Sequence, residues 1–198
     1  SLIPNYDNQY VLMESTGKCY RIIVNPDTEE IRLKGEFKLP GLSESMNLEG
    51  LALIESNGVL KVFYGDRGSD SRPSTLFFAD YNVKQNDITV VRSYSFSLLE
   101  SMSDKRNIAD LVFDRKGNLW SAATSDPGND GPFETKLFRV GKMSKQGSFS
   151  LTRPMKSSKT FESEKVEAMT IFKNGILLLT DNENLGSSRY FIRINKLL

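Results

Sequence analysis

Asn47-Leu48-Glu49-Gly50-Leu51-Ala52-Leu53-Ile54 is an apolar run with an acidic residue near its start, and it leads into a turn at Asn57-Gly58. The same pattern returns twice. Asn107-Ile108-Ala109-Asp110-Leu111-Val112-Phe113-Asp114 leads to Lys116-Gly117, and Lys165-Val166-Glu167-Ala168-Met169-Thr170-Ile171-Phe172 leads to Asn174-Gly175. The glycines stand at positions 58, 117 and 175, so the copies lie 59 and 58 residues apart. Glycine suits these places because tight hairpin turns demand positive φ. One supersecondary unit recurring at a steady period marks a repeat architecture.

Each copy continues alike. A second apolar strand follows the turn, at residues 59–64, 119–123 and 176–179, and ends at an aspartate: Asp66, Asp126 and Asp181. A third strand follows at 75–78, 136–140 and 189–194, and two copies add a fourth at 88–96 and 148–153. A partial copy comes first, with residues 10–14, 19–24 and 31–37 matching the second, third and fourth strands. These runs are rich in β-branched and aromatic residues, with turn formers between them. Residues 98–106 make at most one or two helical turns.

Four antiparallel strands per repeat, set in tandem, are the mark of propeller blades. The chain is therefore expected to be all-β: a single β-propeller domain over 1–198, with repeats at roughly 1–40, 41–98, 99–158 and 159–198. A β-sandwich is the competing architecture, but it gives no reason to repeat glycine and aspartate at matched places. Both terminal blades are incomplete, since the first begins at its second strand and the last stops at its third. Three readings follow: a closed four-blade ring, part of a larger propeller, or a homodimer pairing two chains edge to edge through the incomplete blades.

Composition narrows the function. The 198 residues include no histidine, which excludes histidine triads, histidine zinc sites and histidine phosphotransfer. With one cysteine, Cys19, no intramolecular disulfide forms; its apolar surroundings place it in the core. The 26 basic and 25 acidic residues nearly cancel, so no overall field draws in nucleic acid. No apolar run approaches the ~20 residues of a membrane span. The chain opens Ser1-Leu2-Ile3-Pro4, without Met and without a visible export signal, and removal of one upstream stays open.

Asn47-Leu48-Glu49-Gly50-Leu51-Ala52 with Tyr64-Gly65-Asp66-Arg67-Gly68 resembles the repeat of esterase-like phytase propellers. So does Lys165-Val166-Glu167-Ala168-Met169 with Thr180-Asp181-Asn182-Glu183-Asn184-Leu185-Gly186. Asp110 to Trp120 is similar to repeats of SMP-30/gluconolactonase and strictosidine-synthase-like propellers. The resemblance implies calcium on one face of the ring, held by carboxylates and amides, and a secreted or periplasmic setting. A hard cation wants several oxygen ligands from a rigid frame. Glu49, Glu167, Asp181, Asn182 and Glu183 are the ligand candidates.

Two functions remain open. One is a binding module that presents an acidic channel face to a small molecule or protein, with Glu49, Asp66, Arg67, Asp110 and Asp126 as contacts. The other is a calcium-assisted hydrolase of phosphate or carboxylic esters, phytase-like or SMP-30-like, with Glu167 as general base. Each candidate also has a structural reading: aspartates at strand ends fix turns, and Trp120 belongs in the core.

Overall fold

The computed structural model describes residues 1–69, 71–100 and 102–197. Asp70, in the loop after Arg67, and Ser101, in the segment read as helical turns, lie outside the described residues. The chain is a four-blade β-propeller built of four antiparallel sheets. Helix is confined, among the described residues, to two 3-10 turns at Glu183–Leu185 and Ile194–Lys196. Among the described residues no helix is long and apolar enough to cross a membrane.

Blade 1 holds β1 (Gln9–Met13), β2 (Lys18–Val24) and β3 (Ile31–Lys38). Blade 2 is the complete one, with β4 (Leu48–Ser56), β5 (Val59–Asp66), β6 (Ser74–Asn82) and β7 (Asp87–Phe96) in sequential order. Blade 3 is built on β10 (Asn118–Ser125) and β11 (Glu134–Met143). Its inner strand is split into β8 (Lys105–Arg106) and β9 (Leu111–Phe113), both paired with β10. Its outer strand is split into β12 (Phe149–Leu151) and β13 (Ser157–Glu162), both paired with β11. Pro154 lies in that outer gap, where a residue without an N–H interrupts the ladder. Blade 3 therefore runs on to Glu162, past the boundary expected near residue 158. Blade 4 has β14 (Val166–Phe172), β15 (Gly175–Thr180) and β16 (Arg189–Arg193).

The terminal blades are incomplete as expected, with one addition. Leu2 bridges Tyr10, and Val11 N donates to Ser1 O at 2.9 Å, so residues 1–3 make a stub in the inner place of blade 1.

Packing between blades follows from strand alternation. Residues on one face of a strand meet the preceding blade, and those on the other face meet the next. Val11, Cys19 and Leu39 of the first repeat pack on Leu53, Val62 and Tyr64 of blade 2. Phe63 turns the other way and sets its ring edge-on to Phe113 and Phe149 of blade 3, at 4.9 Å each. Trp120, fully buried, joins Leu137 against Ile176 and Leu178 of blade 4. Cys19 and Trp120 are thus core residues, as their sequence context indicates.

Two turns use glycine as the hairpin rule requires: Gly58 at φ 73° and Gly117 at φ 77°. Gly175 serves a different need. Positive φ falls on Lys173 instead, and a Cβ on Gly175 would lie 2.3 Å from Ile192 O in β16. Close strand approach, not turn geometry, explains that third glycine.

Candidate functional site

The inner strands of blades 2 and 4 start at the same end of the ring, and each starts with a fault in register. In blade 2, Leu48 pairs with Asp66 and Gly50 with Gly65, leaving Glu49 unpaired. In blade 4, Val166 pairs with Thr180 and Ala168 with Leu179, leaving Glu167 unpaired. Both glutamates are the extra residue of a β-bulge. A bulge re-aims its side chain out of the sheet's alternation. The two carboxylates thereby enter one mouth, close enough that Glu49 helps raise the pKa of Glu167.

Small residues beside Glu49 let the next blade approach closely. Gly50 and Gly65 face each other across β4 and β5, and blade 3 presses into the gap they leave. A Cβ on Gly50 would lie 2.6 Å from Leu111, and one on Gly65 would lie 2.5 Å from Ile108.

A chain of ion pairs crosses three blades there. Arg67 Nη1 donates to Glu49 Oε1 at 2.8 Å. Arg106 Nη1 lies 3.9 Å from Glu49 Oε1 and 2.6 Å from Asp126 Oδ2. Lys165 Nζ lies 3.4 Å from Asp126 Oδ2 and 3.3 Å from Glu167 Oε1, and it also pairs with Glu183. Burial alone would depress the Lys165 ammonium, but Glu183, Glu167 and Asp126 outweigh it and hold its pKa above the usual lysine value. Burial raises the pKa of Glu167, and Lys165 opposes the rise without cancelling it. Four carboxylates thus stand with three cations among the described residues of this chain.

Asp110 stands within electrostatic reach of Glu167 and makes contacts of its own. Its Oδ2 accepts Met169 N at 2.7 Å and its Oδ1 accepts Leu111 N at 2.7 Å, so it ties blade 3 to blade 4. It lines a cavity of about 490 Å³ to which the inner strands of blades 2, 3 and 4 and the N-terminal stub contribute, with Leu51, Val112 and Met169 among the apolar walls.

The other expected site residues have structural duties. Asp66 is fully buried; its Oδ1 accepts Asn47 N at 2.9 Å, and both its oxygens pair with Arg72. Asn182 does the same work in blade 4, where its Oδ1 accepts Lys165 N at 2.8 Å and its Nδ2 donates to Glu164 at 2.7 Å. Each closes the start of an inner strand onto the end of the second. The counterpart of Asp66 is therefore Asn182, not Asp181. Asp181 is exposed and accepts Glu183 N at 3.2 Å, a local turn contact.

Of the five expected calcium ligands, Glu49, Glu167 and Glu183 gather at the mouth, while Asp181 and Asn182 turn to their own contacts. No group of three or more Cys, Asp or Glu side chains among the described residues is placed to hold a metal ion. Lysine and arginine nitrogens stand against the gathered carboxylates where a cation would sit. That donor set, with fixed positive charges inside it, does not fit calcium. The acidic face expected from sequence is instead a face of mixed charge. Arg106 and Lys165, which make it so, were not among the expected site residues; an arginine just before the second repeated run and a lysine at the head of the third are the sequence signal.

Comparison with protein-family models and with curated proteins finds no match for this chain. The fold is established by its own geometry, and the likeness to phytase and SMP-30 repeats remains one of short motifs.

Proposed function

We propose that this propeller is a binding module that takes a cationic group at the mouth formed by Glu49, Glu167, Asp126 and Glu183. The group belongs to a small amine or to a lysine or arginine side chain of a protein partner. The observation that carries this reading is the pair of bulged glutamates, delivered to one mouth by the same register fault in two blades. The partly buried charge on Glu167 supplies the driving force. A carboxylate whose pKa is raised by burial gains when a positive group arrives beside it. Arg67, Arg106 and Lys165 hold the acids apart in fixed geometry, so little ordering is needed on binding.

Isothermal titration with putrescine and with an arginine-rich hexapeptide tests the proposal and separates the two sources. Binding of either probe is expected to weaken at least tenfold in Glu167→Gln and in Glu49→Gln. Binding of neither, or binding unchanged in both variants, refutes it.

The resemblance also implies an ester hydrolase, and although the mouth does not fit the calcium it would bring, one observation favours the catalytic reading: a raised pKa on Glu167 suits a general base. Turnover of a chromogenic phosphate or acetate ester, lost in Glu167→Gln, would establish that reading instead.

A further inference from the structure

The near-balance of charge over the whole chain hides an uneven distribution. The hairpin turns of blades 3 and 4 lie at the end of the ring opposite the mouth. The β9–β10 turn carries Arg115 and Lys116, the β11–β12 turn carries Lys145 with Lys142 just before it, and the β14–β15 turn carries Lys173. Lys196, in the 3-10 turn after β16, stands beside them, since Ile194 N donates to Asn174 O at 3.2 Å. All six of these residues are exposed. Among the described residues none of the six has an acidic partner. Lys173 Nζ rests over the Phe172 ring at 5.2 Å, a contact that leaves its charge uncompensated. The one acid in these turns, Asp114, is buried and spends its oxygens on Lys116 N, Asn118 and Trp120.

A groove separates the turns of the two blades. Its cavity of about 290 Å³ has Arg115 and Lys116 on the blade 3 side and Lys173 and Asn174 on the blade 4 side, with half-buried Ile171 and Ile194 as its apolar part. The frame is fixed. Asp114 holds the inner turn of blade 3, and Met143 N donates to Gly117 O at 2.8 Å, tying that turn to the outer one.

We infer that this end of blades 3 and 4 is a docking surface for an acidic peptide segment of a partner protein. One apolar side chain of the segment seats against Ile171 and Ile194, and its carboxylates meet Arg115, Lys116 and Lys173. Charge complementarity carries the inference, because unpaired cations gather around an apolar seat. The cations are spread over several turns instead of converging on one point, which matches a row of carboxylates better than a single small anion. A flat anionic surface fits poorly, because the β2–β3 turn of blade 1, at the same end of the ring, carries Asp27, Glu29 and Glu30. Among the described residues no aromatic ring lines the groove, so single-stranded nucleic acid finds no stacking platform there. Turns already held in place keep the ordering cost of binding low. Arg115, Lys116, Lys142, Lys145 and Lys173 all sit on hairpins closed by a strand on each side, so the surface does not rest on a chain terminus. It is independent of what binds at the mouth.

Fluorescence anisotropy with a labelled Glu-rich hexapeptide containing one leucine tests it. The parent is expected to bind this probe, with an affinity that falls as salt is raised. Arg115→Glu and Lys173→Glu change exposed turn residues, and each is expected to keep the parent's circular dichroism spectrum while weakening binding by about tenfold or more. Lys84→Glu, on an exposed turn of blade 2 at the same end of the ring, is expected to leave the affinity close to the parent's. Exchanging the leucine of the probe for glutamine is expected to weaken binding, because the groove loses its apolar guest. No binding of the probe overturns the inference. So does binding that both groove variants leave unchanged, or that Lys84→Glu weakens as much as they do. An affinity unchanged by the glutamine exchange overturns the seat against Ile171 and Ile194. Tighter binding of phosphatidylserine vesicles or of single-stranded DNA, lost in the same two variants, overturns the peptide as the occupant.

Discussion

Asp110 of blade 3 accepts the backbone N–H of Met169 in blade 4 at 2.7 Å, holding two inner strands together beside the central cavity. Burial pushes its carboxyl up to about 6, against the opposite pull of the Met169 and Leu111 N–H donors. The folded chain therefore keeps this proton to a higher pH than the unfolded chain does. Between about pH 4 and 6 the native state binds more protons, so stability falls as pH rises through that window. Asp110→Asn removes the titrating group. Urea unfolding at several pH values is expected to show a steeper fall in the parent than in the variant; parallel curves would contradict this assignment.

Lys165 is the junction of the ion-pair chain, and its side chain is only 7% exposed. Lys165→Met keeps much of the volume but leaves Asp126, Glu167 and Glu183 facing one another. Breaking one partner of a buried pair typically costs ~3 kcal/mol or more. A urea midpoint within error of the parent's would show that the three carboxylates do not depend on it.

Asp114 closes the turn between β9 and β10. Its Oδ1 accepts Lys116 N and Asn118 N, and its Oδ2 accepts Asn118 Nδ2 and Trp120 Nε1 at 3.1 Å. Asp114→Ala leaves several buried donors unpaired, each worth ~1–3 kcal/mol. The variant should lose at least ~2 kcal/mol of stability, with a shift in Trp120 fluorescence. An unchanged emission spectrum would mean that the indole N–H finds another acceptor.

The period of Gly58 and Gly117 was legible because turn chemistry is local, and it led directly to the blade count. The site was legible only in part. Glu49 and Glu167 stood out by alignment, but the bulges that aim them depend on the register of β5 and β15, which no single strand encodes. The one-residue offset that makes Asn182 the counterpart of Asp66 is equally hidden, since it depends on which side chain reaches a backbone N–H across the hairpin. Arg106 and Lys165 come from different blades. Their meeting at Asp126 is a property of the ring, not of any repeat.

Calcium provides a further check on the mouth. A ligand bound only by the native state raises stability by RT ln(1 + [L]/Kd), about 2.7 kcal/mol at a hundredfold excess. With lysine and arginine nitrogens already against the carboxylates, millimolar calcium is expected to leave the melting temperature of the parent unchanged. A rise of several degrees that disappears in Glu49→Gln would place a cation among these acids after all.

Carboxyl-carbon NMR of Glu49 and Glu167, followed through a pH titration with and without the arginine-rich hexapeptide, tests the binding mouth most directly. Free, Glu167 should titrate above the ordinary glutamate range, as burial dictates. With the peptide bound, a positive group beside it should bring that pKa down while Glu49 shifts in chemical environment. A Glu167 titration curve that is the same with saturating peptide would mean that the bulged glutamates do not receive the cation.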